Sequence, residues 1–214
     1  CQAARVNAAG INYYFGDKER LYIETVKCAQ RMQIERVPMP ELAAGASGAE
    51  RLPAFVTTML TRMLEHETPW QSRLMMREIL APSTACQELV EEYFRPQFEL
   101  LCEILRELAG ELVADMVPEH ELQQIAFSVV GQCVHYRVGN AIVTRLIPAE
   151  ERAAHYQTRQ LAEHVTRFTL AALRGWQSPG LALATAGSRA ADETLAAGGA
   201  ASCHTPTEAN TAAR

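Results

Sequence analysis

Up to Trp176 the apolar residues of this chain recur every three or four positions, and no stretch alternates apolar and polar residues as a half-buried strand does. That periodicity restricts the fold to packed helices, an all-α architecture. Leu52, Phe55, Val56, Met59, Leu60 and Met63 mark a helix from about Ala49 to Glu65, and Pro69 and Pro82 bracket a shorter one, Trp70 to Leu80. Thr84-Ala85-Cys86-Gln87 has the form of a capping box, in which two side chains three residues apart satisfy each other's backbone amides. It opens a helix expected to reach about Leu108, kinked at Pro96, which has no N–H to give. A further helix is expected from Glu119 to about Arg145, apolar at Leu122, Ile125, Ala126, Val129, Val130 and Cys133. A last one follows Pro148 and carries Leu161, Val165, Phe168 and Ala172 at i, i+4, i+7, i+11 spacing, a seam for packing helix on helix.

Proline and small residues mark the joints. Pro38, Pro40 and the Ala/Gly/Ser run 43–49 form a linker, 37–48, between a head, 1–36, and a body, 49–175. From 176 to 214 Ala, Gly, Ser and Thr dominate without periodicity, and a disordered tail is expected. The cysteines are scattered with no CxxC pair, so reduced thiols are expected rather than disulfides or a metal site. No apolar run approaches the ~18 residues that cross a bilayer and no leader pattern opens the chain, which points to the cytoplasm and away from a membrane partner. Glu65-His66-Glu67 points in three directions on a helix, and His155 and His164 are out of phase, so no metal and no cofactor is expected. No catalytic constellation is legible either. An enzyme would need Glu78, His135 and Tyr136 to converge on one reachable point.

The segment Val6 to Tyr22, VNAAGINYYFGDKERLY, carries the functional signal. Asn7 can cap a short helix from Ala8 to Tyr14, Gly16-Asp17 turns the chain, and Asp17 can cap a longer helix from Lys18 to about Arg36. Small residues at Ala8, Ala9 and Gly10 let a helix backbone approach base edges, and Asn12 offers a paired donor and acceptor. Tyr13 and Tyr14 can bond phosphate oxygens, and Lys18 adds charge where free helix N–H groups already favour an anion. Ile11, Phe15, Leu21 and Tyr22 would form a small core. Residues 1–36 hold six Lys/Arg against four Asp/Glu, and the remainder 14 against 21, so a mildly basic head sits on an acidic body. On spacing alone, DNA binding and a plain helical hairpin with a Gly-Asp turn stand about level.

The stretch INYYFGDKERLY resembles the end of the helix-turn-helix in TetR/AcrR-type transcriptional regulators, where an aromatic-rich string leads through a short turn into K-E-x-L. The body stretches MMREILAPSTACQELVEEYFRPQFELLCEILRELAG and VVGQCVHYRVGNAIVTRLIP are more loosely similar to the C-terminal domain of the CerR-like subgroup. The resemblance implies that Ala8, Gly10 and Asn12 face bases and that Tyr13, Tyr14 and Lys18 hold phosphates. It also implies an N-terminally truncated head, lacking the family's first helix and most of its second, ahead of an antiparallel helical-bundle domain. That domain would bind a small-molecule effector and dimerise through its last two helices. Polar residues on otherwise apolar helices are then the effector-pocket candidates: Arg77, Glu78, Gln97, Gln132, His135 and Tyr136. Leu161, Val165, Phe168 and Ala172 become the homodimer interface. The expected function is a repressor that leaves its operator DNA when the effector binds. The alternative is a truncated ligand-binding and dimerisation module without DNA activity.

Overall fold

The computed structural model describes residues 8–65, 69–113 and 116–176, with the side chains of Ala8, Ala9, Ile11, Pro69 and Ser72 left aside. Asn7, His66, Glu67 and the tail beyond Trp176 lie outside the described residues. The chain divides into two units, 1–176 and 177–214, and every described helix lies in the first. Among the described residues every regular element is helical.

A short helix α1 (Ala8–Phe15) meets α2 (Lys18–Arg36) at a tight turn. Gly16 takes φ +79°, a left-handed conformation that a residue with a Cβ reaches only under strain. Asp17 then caps α2 as expected, its carboxylate accepting from the Arg20 amide at 2.7 Å. The linker leads to α3 (Gly48–Leu64), whose start is the capping box of this fold. Ser47 donates from both its amide and its hydroxyl to Glu50 Oε2, each at 3.0 Å. The box expected at Thr84 is absent. Thr84 makes no cap bond, and its hydroxyl donates instead to Glu19 of α2 at 2.7 Å.

After α4 (Pro69–Leu80) the expected long helix comes in three parts: α5 (Ala85–Leu89), a π-helical turn Val90–Phe94, and α6 (Arg95–Leu112). The Arg95 amide reaches back five residues to the Val90 carbonyl. This wide turn leaves Pro96 in the first turn of α6, where its missing N–H leaves no interior bond unmade. In place of an interior break at Pro96 the structure has the π-helical turn before it.

The helix expected from Glu119 to Arg145 is also divided, into α7 (Glu119–Val138) and α8 (Asn140–Leu146). At the joint a Cβ on Gly139 would lie 2.8 Å from the His135 carbonyl oxygen, so the close turn requires glycine. The last expected helix is α9 (Ala149–His155) and α10 (Thr158–Gly175). Between them the Gln157 amide caps α9 by donating to the carbonyls of Arg152 and Ala153.

The main core lies between α3, α6, α7 and α10. Leu52, Phe55, Val56 and Leu60 pack there with Leu101, Leu105 and Leu108, with Leu122, Val129 and Cys133, and with Leu161, Val165 and Leu173. Burial at ~25 cal/mol per Å² of apolar surface makes this the dominant favourable contribution to folding. Cys102 and Cys133 are buried as small apolar residues, and burial pushes the Cys133 thiol up to about 12. A second cluster joins α2 to α4 and α5: Ile23 and Val26 of α2 bury against Met75 of α4 and Ala85 and Leu89 of α5. Among the described residues no helix is long and apolar enough to cross a membrane.

Candidate DNA-reading head and its joint to the body

The α1–α2 hairpin holds its aromatic pair outward. Tyr13 is 83% exposed and Tyr14 79%, and their rings meet edge to face at 5.2 Å. Two large aromatics in water are costly surface unless something covers them, and a phenol on a helix end is well suited to a phosphate backbone. Asn12 and Lys18 are exposed on the same hairpin, while Gly10 is half-buried. The Ala8 side chain is among those left aside. Phe15, Leu21 and Tyr22 are half-buried, and Tyr22 belongs to the cluster that α2 shares with α4 and α5.

The joint beneath this hairpin is polar as well as apolar. Glu78 of α4 is only 2% exposed, yet it is well supplied with donors. The Tyr22 hydroxyl donates to one carboxylate oxygen, and the other accepts from the Ser83 hydroxyl at 2.8 Å and the Ser83 amide at 3.0 Å. Burial alone would raise the Glu78 pKa, but the bonds from Tyr22 and Ser83 and the nearby Arg77 charge outweigh it and hold the carboxyl below its ordinary value. Tyr22 is raised by its own burial and by Glu78, so it stays the donor. The Arg77 guanidinium lies 5.4 Å from the Tyr22 ring centroid, within cation–π range.

A second set of bonds runs from α2 to α5 and the π-helical turn. Lys27 meets Glu88 at 2.9 Å and Glu92 at 2.5 Å, and Arg20 meets Glu88 at 2.6 Å. The hydrogen bond to Glu92, then that to Glu88, raises the Lys27 ammonium well above its usual range. Tyr22, Glu78 and Lys27 thus fix α2 to α4, α5 and the π-helical turn.

The six effector-pocket candidates do not gather. Arg77 and Glu78 are occupied at the head–body joint. Gln97 is half-buried, accepts from Arg62 at 3.0 Å and donates to the Tyr93 carbonyl at 2.9 Å. Gln132 donates to the Ser128 carbonyl of its own helix, His135 is exposed, and Tyr136 packs on the edge of the main core. Two clefts open on the body. One, of about 480 Å³, lies between the linker and α6 beside Leu42, Arg51, Leu100 and Glu107. The other, of about 570 Å³, lies between α6 and the start of α7 beside Phe98, Cys102, Arg106 and Glu119. None of the six lines either cleft. Their common trait is polarity on an apolar helix, and each polar group has a local partner or open solvent.

The interface candidates also divide. Leu161 and Val165 lie inside the protomer's own core, so they present nothing to a second copy. Phe168 (54% exposed) and Ala172 face outward. Sequence reasoning misses Arg62 and Lys27, and it gives Tyr22 a place in a small core without its hydrogen bond to Glu78. Arg62 is a charged residue on a helix with a marked apolar face, and that conflict is the available signal. Among the described residues no three His, Cys, Asp or Glu side chains gather as metal ligands would.

Residues 49–173 match the family model for the C-terminal domain of the HTH-type transcriptional dual regulator CecR, and the chain belongs to that family. The match spans both body stretches that resemble TetR-type regulators and makes this region a TetR-type regulator's C-terminal region. No curated protein matches the chain.

Proposed function

We propose that the protein is a DNA-binding transcriptional regulator of TetR type, a repressor that leaves its operator when a small molecule binds the body. The observation that carries this is the exposed Tyr13–Tyr14 pair, set one turn before Lys18 at the start of α2, on a chain whose body belongs to a regulator family. In this reading residues 1–36 contribute the DNA-binding head, 37–48 the linker and 49–175 the effector and dimerisation domain. Ala8, Gly10 and Asn12 read bases, while Tyr13, Tyr14 and Lys18 hold phosphates. The protein acts in the cytoplasm as a homodimer, which sets two heads on the half-sites of a near-palindromic operator.

The outward faces of α7 and α10, with Phe168 and Ala172, form the dimer contact, since Leu161 and Val165 are committed to the core. An effector that tilts α2 through its joint to α4 and α5 would alter the separation of the heads. A coupling of ~1–3 kcal/mol, which changes affinity about 5- to 150-fold, is enough.

Selection of genomic DNA fragments on the full-length protein tests the reading. It should enrich a near-palindromic site whose affinity falls steeply with salt. Lys18→Ala should weaken binding to all sequences alike, whereas Asn12→Ala should relax preference at one position of each half-site. Selection that enriches no site would overturn the regulator reading and favour a ligand-binding and dimerisation module.

A further inference from the structure

We infer that Arg62 is the anchor of a binding site for an organic carboxylate, set where α2, α3 and α6 meet. The inference rests on the effector reading above and deepens it by naming the ligand's charge and its anchor.

Arginines on this protein's surface hold carboxylates: Arg20 with Glu24 and Glu88, Arg51 with Glu103 and Glu107, Arg95 with Glu91, Arg106 with Glu119. Arg62 reverses the pattern. It is 5% exposed, and among the described residues no carboxylate lies within ion-pair distance of it. Its Nε donates to the Val37 carbonyl at 2.8 Å and its Nη1 to Gln97 Oε1 at 3.0 Å. Both acceptors are neutral. A buried guanidinium is normally retained with an anion, because its lost hydration is recovered only by a charged, planar partner that meets its forked donors. The C-terminal ends of α2 and α3 offset part of the charge, since Val37 is the C-cap of α2 and Arg62 lies in the last turn of α3. They do not neutralise it, and burial pushes the guanidinium below its ordinary pKa with no opposing charge among the described residues.

A second observation marks the same place. Gln97, the side-chain acceptor, follows directly on the π-helical turn Val90–Phe94 and on Pro96, which gives no backbone hydrogen bond. A π-helical turn inside an α-helix is rare and concentrates at functional positions. Here it places the acceptor in the first turn of α6, three residues after the π-helical turn ends. Met39, Met63 and Phe98, each within two residues of Val37, Arg62 or Gln97, are only partly buried, and Phe98 lines the cleft beside α6, so apolar surface not used up by the core flanks these three groups in the chain. The ligand is therefore an organic acid with an apolar body.

Its carboxylate takes the guanidinium bidentately, displacing Gln97 and the Val37 carbonyl. Val37 ends α2, so the ligand releases the last turn of the helix that begins beside the DNA-reading segment.

The test is thermal unfolding of the full chain with a series of phenylalkanoates, phenylacetate to 5-phenylvalerate, each beside its primary amide. At a hundredfold excess over Kd, at least one acid should raise Tm by about 5–10 °C while its amide does not. Arg62→Gln still offers an N–H to Val37 while losing the charge and the bond to Gln97, so it should fold and show no response. Arg62→Met should likewise lose the response. The inference is overturned if no acid of the series outperforms its amide, or if the rise survives in Arg62→Gln. An acid that stabilises through Arg62 yet leaves operator affinity unchanged supports the site and counts against the regulator reading instead.

Discussion

Replacing Tyr22 by phenylalanine removes one oxygen and tests whether the joint between α2 and α4 is held by Glu78. The side chain keeps its ring, so the packing against Met75 and Leu89 and the cation–π contact with Arg77 survive. What is lost is one of three donors to a carboxylate buried to 2% exposure. A hydrogen bond to a charged group contributes ~1.5–3 kcal/mol. Ser83 still supplies two donors, so a loss of ~2 kcal/mol is expected, or about 4–8 °C in Tm for a domain of this size. The sign with pH follows from the depressed Glu78 pKa. A carboxyl held below its unfolded value stabilises fully above that value, about 4.3 for Glu, and the contribution fades as pH falls through the folded value. In Tyr22→Phe the depression is smaller, so the gap to wild type should be widest near neutrality and close in acid. Urea unfolding followed by far-UV circular dichroism measures both, and a cycle with Glu78→Gln should return a coupling of ~1–2 kcal/mol. A coupling near zero, or a gap that does not close in acid, would refute the account.

Two further perturbations probe the body. Gly48→Ala puts a Cβ 2.8 Å from Leu108 Cγ and 3.3 Å from the Ile104 carbonyl oxygen, and Leu108 is buried with little room to retreat. The urea midpoint should fall by an amount equal to ~1–3 kcal/mol with the slope unchanged. Phe168→Glu leaves the protomer's stability nearly unaltered, because the ring is exposed, but should convert the proposed dimer to a monomer in light scattering. A dimer that persists would move the contact off α10.

Helix type was legible because apolar spacing depends only on which face is buried. The turns were legible where one residue dictates the backbone: Gly16 at positive φ and Asp17 as cap both stand where their chemistry requires. The breaks at Gly139 and at Tyr156–Gln157 were not. The first depends on the close approach of a carbonyl in the folded turn, and the second on a glutamine that caps from outside the helix. Thr84 shows the converse: its capping pattern is present, but the hydroxyl has a better partner in Glu19, 65 residues away. Local pattern cannot register a competitor supplied by tertiary structure.

The seam on α10 shows where periodicity misleads and what corrects it. Leu161, Val165, Phe168 and Ala172 fall within one stripe, yet only the first two are buried. The buried line instead runs Leu161, Val165, Thr169, Leu173, flanked by Ala162 and Thr166. Hydropathy hides that line because Thr169 is polar. Its hydroxyl donates to the Val165 carbonyl at 2.8 Å, one turn back, and so carries no unsatisfied group into the core. A threonine able to satisfy itself within its own helix thus counts as apolar for the purpose of burial. Once it is counted so, the buried stripe rotates away from Phe168, and the phenylalanine becomes what needs a partner. Arg62 obeys the same logic with the opposite result. It too lies on a buried face, but a guanidinium cannot satisfy its charge within its own helix, and the neutral groups around it leave that charge unanswered. Two polar residues inside the same bundle therefore differ in kind: Thr169 is complete within the protomer, and Arg62, whose partners among the described residues are neutral, is the one an anion would complete.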